Sequence, residues 1–213
     1  MRIRTILTTS GLAAVMAIGL GATSALATST TTWTVKPGGS YTAKSGTTTL
    51  KDLVTTTLLT CTSSAAAGTL KSGSGLTNPL GTVTSSTFTG CTGPLGTTFS
   101  VTTSASTTKP WHVNATSFSS GVTHGNISGI HALLKGTNNA CTATVDGTGA
   151  TSFNGKVAIT HSNASPTKLK VTKGINLHVY NVSSGCMGLI VSGDAVTFTA
   201  TYTLNAAQTI TSP

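Results

Sequence analysis

The sequence predicts an all-β fold, an antiparallel β-sandwich or barrel-like stack stapled by disulfides. Three observations lead there. Apolar residues recur at every second position in several short segments, turn-forming clusters separate those segments, and four Cys residues are spread along the chain. Alternation of period two places one face of a strand on a core and the other toward water. No segment after residue 27 carries a convincing 3.6-residue period. Lys51 to Leu59 comes nearest, and its run of β-branched Thr resists helix.

The clearest strand is Val196-Thr197-Phe198-Thr199-Ala200-Thr201-Tyr202-Thr203-Leu204, in which every intervening residue is Thr. Shorter alternations occur at Trp33-Thr34-Val35, Phe99-Ser100-Val101, Trp111-His112-Val113, Val157-Ala158-Ile159 and Ile175-Asn176-Leu177-His178-Val179. Between them lie Pro37-Gly38-Gly39, Ser72-Gly73-Ser74-Gly75, Asn78-Pro79, Asp146-Gly147, Asn154-Gly155 and Ser192-Gly193-Asp194. Asn154-Gly155 is the best candidate for a two-residue hairpin turn, because both central residues of a type I′ turn need positive φ. Many short strands separated by turns indicate an antiparallel sandwich or a closed sheet.

The N-terminus reads as a secretory signal. Arg2 and Arg4 supply positive charge, an apolar stretch runs from about Gly11 to Leu20, and Ala25-Leu26-Ala27 offers a small-x-small cleavage site. The expectation is a signal peptide over 1–27 and a secreted, extracellular β-domain over 28–213. The apolar stretch falls short of the roughly 20 residues a membrane span needs, so no transmembrane segment is expected in the mature protein. Both Arg lie in 1–27, which leaves ten Lys against three Asp and no Glu. The domain is therefore cationic through Lys alone.

A faint repeat runs through the chain. Leu59-Thr60-Cys61-Thr62 is similar to Asn139-Ala140-Cys141-Thr142, and Gly90-Cys91-Thr92-Gly93 to Gly185-Cys186-Met187-Gly188. Two related halves with a boundary near 108–110 are one explanation, and recurrent turn chemistry around disulfides is the other. Four Cys in a secreted chain read as two disulfides with three possible connectivities. The repeat and sequence proximity favour Cys61–Cys91 and Cys141–Cys186.

Chemistry-bearing groups are sparse. The only carboxylates are Asp52, Asp146 and Asp194, and the last two sit in turn contexts. No G-x-S-x-G elbow is present, since Gly125-Asn126-Ile127-Ser128-Gly129 places its Ser one position late. Neither H-x-H nor H-E-x-x-H occurs, so no metal site and no cofactor is expected. His112 and His178 fall opposite the apolar positions, which turns them toward solvent. Trp33 and Trp111 each open an alternating segment and are expected in the core; exposed, they would form a sugar-stacking platform. Lys168, Lys170 and Lys173 form the densest basic segment. They read either as edge protection of a strand or as a strip attracting an anionic surface such as a cell-wall polymer or phospholipid. Nucleic acid is disfavoured by the lack of Arg and of an aromatic stacking surface.

The segments Trp33-Thr34-Val35-Lys36-Pro37-Gly38-Gly39, Asn176-Leu177-His178-Val179-Tyr180-Asn181-Val182 and Gly193-Asp194-Ala195-Val196-Thr197-Phe198-Thr199-Ala200 resemble a group of secreted, Thr/Gly-rich actinobacterial proteins. That resemblance implies a compartment and no mechanism. The enediyne-binding apoproteins are similar in style, as secreted two-disulfide sandwiches, although shorter and acidic. The leading expectation is a non-enzymatic extracellular β-protein that binds a surface, a small ligand or a partner. The alternative is a secreted hydrolase whose Ser, His and Asp come from distant positions.

Overall fold

The computed structural model describes residues 31–212. The signal-peptide reading of 1–27 lies outside them. Sixteen strands follow one another: β1 (Trp33–Lys36), β2 (Gly39–Ser45), β3 (Thr48–Asp52), β4 (Leu58–Leu70), β5 (Gly73–Leu76), β6 (Gly81–Thr92), β7 (Thr98–Thr103), β8 (Trp111–Ser119), β9 (Val122–Ile130), β10 (Ala132–Gly136), β11 (Thr142–Asp146), β12 (Gly155–Ser162), β13 (Lys168–Asn176), β14 (His178–Tyr180), β15 (Val196–Leu204) and β16 (Thr209–Thr211).

The pairings close a barrel. β2, β4, β6, β8, β9, β12, β13 and β15 each pair antiparallel with the next, and β15 returns to β2. The remaining strands of the wall prolong these. β3 follows β2 along the same side of β4, where Ser45 pairs with Ser64 and Thr48 with Cys61. In the same way β7 prolongs β8 along β6, β10 prolongs β9, β11 prolongs β12, and β14 prolongs β13. The lower ends meet where His178 bridges Ala195 and Val196 N donates to the Leu177 carbonyl at 2.9 Å. The wall is thus eight antiparallel staves in sequence order, three of them unbroken (β4, β6, β15) and five interrupted near mid-height.

Alternation decides which side faces in. β12 is buried at every second residue, Gly155, Val157, Ile159 and His161, and β2 at Tyr41, Ala43 and Ser45. The outward positions of the same region are Thr42, Lys44, Thr160, Lys168, Lys170, Thr201 and Thr203. A membrane barrel presents the opposite pattern, with an apolar band outside. A three-stranded sheet, β16-β1-β5, covers the upper end. It brings Trp33, Val35 and Ile210 into the core. Trp111 is buried in the wall, its indole N–H donating to Ser104 Oγ at 3.2 Å. Residues 108–110 connect β7 to β8 within one stave, so both sequence halves build a single barrel.

Asn154-Gly155 does not form the expected hairpin. β11 and β12 are consecutive pieces of one stave, not partners. Neither Asn154 nor Gly155 has positive φ; Phe153 does, at 50°. Gly155 is needed for space instead, because a Cβ there would stand 2.6 Å from the Ile130 carbonyl oxygen.

Both disulfides join the cysteines expected to pair, Cys61–Cys91 and Cys141–Cys186. Cys61 and Cys91 face each other across β4 and β6. Cys186 ends a short 3₁₀ turn over Ser184–Cys186 and ties it to the start of β11. The two Gly-Cys segments differ locally. Gly90 lies in a strand with φ 61°, whereas Gly185 is required because a Cβ would meet the Ala140 carbonyl carbon at 2.4 Å. Two bonds spanning 30 and 45 residues each stabilise by about 4 kcal/mol in the chain-entropy treatment. A Cys141→Ser/Cys186→Ser double variant should therefore unfold at clearly lower urea than the parent, with an unchanged strand signature in far-UV circular dichroism. An unchanged midpoint would remove this bond from the account.

Candidate functional site

The barrel interior is not completely filled. An apolar cavity of about 130 Å³ runs along its axis. Small side chains on facing staves leave this room, among them Ala43 on β2, Ala66 on β4 and Ala132 on β10, while Trp111, Phe88, Phe198 and Tyr202 line the rest. Ile210, on the small sheet at the upper end, lines it there. Its backbone is held by Asn163, which exchanges two hydrogen bonds of 3.0 Å with it, and by Thr123 Oγ1, which donates to its carbonyl at 2.9 Å.

One laterally paired row of the wall is unusually polar. Thr123, His161, Leu169, Tyr202, Ser45 and Ser64 are register neighbours on successive staves. Most of its polar groups are satisfied: Thr123 by Ile210, and Ser64 by donating to the Tyr202 hydroxyl at 2.7 Å. His161 is different. It is 3% exposed, and neither ring nitrogen has a hydrogen-bond partner. Burial pushes its imidazole down to a pKa of about 4, against a smaller upward pull from the Asn163 side chain, so it is neutral at pH 7. Among the described residues, four buried side-chain atoms lack partners. Three belong to His161 and Thr48, which line this cavity, and the fourth is Asp52 Oδ2 beside a smaller space of about 40 Å³.

The sequence carries a signal for His161. It continues the inward phase of Val157 and Ile159. Of the two His expected to face solvent, His112 and His178, the former is exposed on the outer wall. The latter also lies on the outer phase, but residues 147–154 cover it and its Nδ1 sits 2.9 Å from the Gly147 carbonyl.

A second polar cluster occupies the level where the staves break. Asp146, fully buried at the end of β11, accepts hydrogen bonds from the backbone N–H groups of Gly147 (2.6 Å), Phe153 (3.0 Å) and Asn154 (3.0 Å), and lies 2.9 Å from His131 Nδ1. Burial raises its carboxyl pKa, but the bonds from His131 and from these three amides outweigh burial and hold it below its ordinary value. The carboxylate thereby ties together both ends of the excursion that interrupts the stave. The His131 ring stacks on Phe153 at 4.2 Å, and the Lys109 ammonium lies 4.5 Å from the far ring. No hydroxyl is bonded to His131, so the pair stands without a nucleophile among the described residues. Asp52 likewise holds a turn, accepting from Val54 and Thr55, and Asp194 accepts from Val191.

Lys168, Lys170 and Lys173 are exposed on the outer face of β13. Edge protection does not explain Lys168 and Lys170, because β13 is paired there on both sides, with β12 and with β15; Lys173 lies beyond the β15 pairing. The structure adds Lys44, which faces Thr203 on β15, the neighbour of Lys168. Lys44 and Lys168 are thus two strands apart, roughly 10 Å. The one ion pair among the described residues is His131–Asp146, so this strip has no carboxylate partner. Exposed apolar side chains collect elsewhere: Leu53, Val54, Leu58, Leu95, Met187 and Val191 all lie on or beside loops at the lower end.

No protein-family model matches the chain, and neither a curated protein nor a solved structure matches it.

His161 generates a pH test. The unfolded chain takes up a proton near pH 6.5, while the folded protein resists until about pH 4. Stability contributed by the neutral imidazole is present above pH 6.5 and is lost as the pH falls toward 4, by about 3 kcal/mol at 1.36 kcal/mol per unit. Asp146 adds its own loss at lower pH, below its unfolded value of 3.8. Urea midpoints between pH 7 and 4.5 should fall steeply in the parent and much less in His161→Leu. Parallel curves for the two proteins would show that His161 does not titrate in this way.

Proposed function

We propose that this chain is an exported extracellular barrel that binds a small apolar molecule in its interior without transforming it. The observation that carries the reading is the unfilled apolar space of about 130 Å³ inside a closed eight-stave wall. Barrels of this size either fill their interior with side chains or hold one small ligand, and protein interiors otherwise pack at crystal density. A cavity of about 150 Å³ with a similar lining accepts benzene. The export reading draws support from Arg2, Arg4 and the Ala25-Leu26-Ala27 site, and from two disulfides, which persist in oxidising compartments. The hydrolase alternative is less well supported. It needs an acid, a base and a nucleophile in line, and Asp146 is committed to closing a stave.

Toluene tests the reading. At 100 times its dissociation constant a ligand stabilises by about 2.7 kcal/mol, which for a domain of this size raises Tm by about 5–10 °C. The parent should show this rise in a thermal melt. Ala43→Leu, which fills the cavity, should melt normally but gain nothing from toluene. No shift in the parent would reject interior binding.

A second reading rests on the uncompensated strip of Lys44, Lys168 and Lys170, which suits an anionic polymer such as that of a cell wall. Exposed charges are screened within about 8 Å at physiological ionic strength. Co-sedimentation with purified cell walls should weaken as salt rises, and Lys44→Gln/Lys168→Gln/Lys170→Gln should release the protein with its Tm intact. Binding indifferent to salt and to these substitutions would reject it.

A further inference from the structure

The interior site has a polar feature that a purely hydrocarbon ligand would leave unused. His161 is buried, neutral and without partners on either nitrogen, and its ring lines the cavity. A neutral imidazole offers one donor and one acceptor. Leaving such groups unpaired in an interior costs about 1–3 kcal/mol each, and a Leu or Phe in this place would avoid that cost. Every other hydrogen-bonding side chain of the same wall row that meets a partner does so within the protein: Thr123 on Ile210, Ser64 with Tyr202. Tyr41, farther along the cavity, donates to the Thr82 carbonyl at 3.1 Å. The imidazole is thus, with Thr48 Oγ1, left free for something the protein does not itself contain.

The remaining lining restricts what that is. No Lys or Asp lines the cavity, and a charged ligand enclosed without a counter-charge would lose its hydration uncompensated. The ligand must therefore be neutral. The volume, about 130 Å³ in all, caps it at about one six-membered ring, by comparison with the slightly larger cavity that accepts benzene. The apolar walls demand that nearly all of its surface be hydrocarbon or aromatic. A single hydroxyl is what the imidazole can satisfy, its O–H donating to the unprotonated ring nitrogen. Thr48 Oγ1, also buried, unpartnered and on a lining residue, offers a further polar contact at the level of the break between β2 and β3.

We propose that the barrel selects a neutral monocyclic phenol, or an alcohol of like size, whose hydroxyl hydrogen-bonds the His161 imidazole. The proposal rests on the reading of the interior as a ligand site and names the ligand's chemistry. No covalent step is involved.

The experiment compares toluene, p-cresol and benzoate by titration calorimetry at pH 7, with the whole secreted domain and with His161→Leu. In the parent, p-cresol should bind about tenfold more tightly than toluene, the worth of one net hydrogen bond, and benzoate should not bind. In His161→Leu, toluene should bind at least as well as before, while the advantage of p-cresol shrinks to within about twofold. In ¹⁵N-labelled parent protein, the unprotonated His161 nitrogen should shift upfield with p-cresol and stay in place with toluene. This readout serves as well if the variant does not fold. Toluene and p-cresol binding equally, with an unmoved His161 resonance, would overturn the proposal while leaving the interior site standing. Failure of both to bind would overturn the interior site itself. Binding of benzoate with p-cresol's affinity would overturn the neutral-ligand assignment.

Discussion

Closure of the sheet on itself is the constraint from which the rest of this structure follows. The last long strand, Val196–Leu204, pairs with β13 on one side and with β2 and β3 on the other. Once it is in place, no stave of the wall has a free edge along its paired length, and aggregation by edge pairing is removed. Closure also sets the bore. Eight staves enclose a cylinder whose width depends on their number and tilt and not on the side chains inside. Where those side chains are Ala43, Ala66 and Ala132, the bore stays partly empty. The cavity is thus a consequence of a fixed wall and a small-residue lining, maintained by neighbours that cannot collapse into it.

The titratable groups then divide by task. At mid-height, where five staves are interrupted, ladder hydrogen bonds are missing, and side chains replace them. Asp146 gathers three backbone amides and His131, and His178 and Tyr180 both meet the Gly147 carbonyl at 2.9 Å. These contacts resemble fragments of a catalytic site only in composition, because each is consumed in holding a break together. His161 stands apart, since removing it would leave no backbone group unpaired. A buried polar group that leaves its hydrogen-bonding capacity unmet and lines a cavity is where function is the better explanation.

Much of this was legible in the residues. Alternation located the closing strand and the inward phase, and the Cys pairing followed because Cys61 and Cys91 lie on neighbouring staves joined by one excursion. Alternation alone could not separate a barrel from a sandwich, as both bury one face of each strand. Nor could it show that β11 and β12 are collinear. Asn154-Gly155 looked like a hairpin because the same two residues serve a stave interruption, one binding the 147–154 excursion and the other allowing close approach to Ile130. The lysines of β13 looked like edge protection because their partner on the far side, β15, lies more than twenty residues ahead in the chain. His161 was visible in phase with Val157 and Ile159, yet its significance depends on the absence of partners, which only the assembled wall reveals.

The central claim is that the bore contains space a guest can enter. Xenon reports this most directly, being apolar, monatomic and detectable at a defined position. Crystals of the protein pressurised with xenon should show an anomalous peak inside the barrel beside Ala43, and that peak should vanish in Ala43→Leu. A barrel interior free of xenon, or a peak only at the loop surface around Leu95 and Met187, would contradict the account.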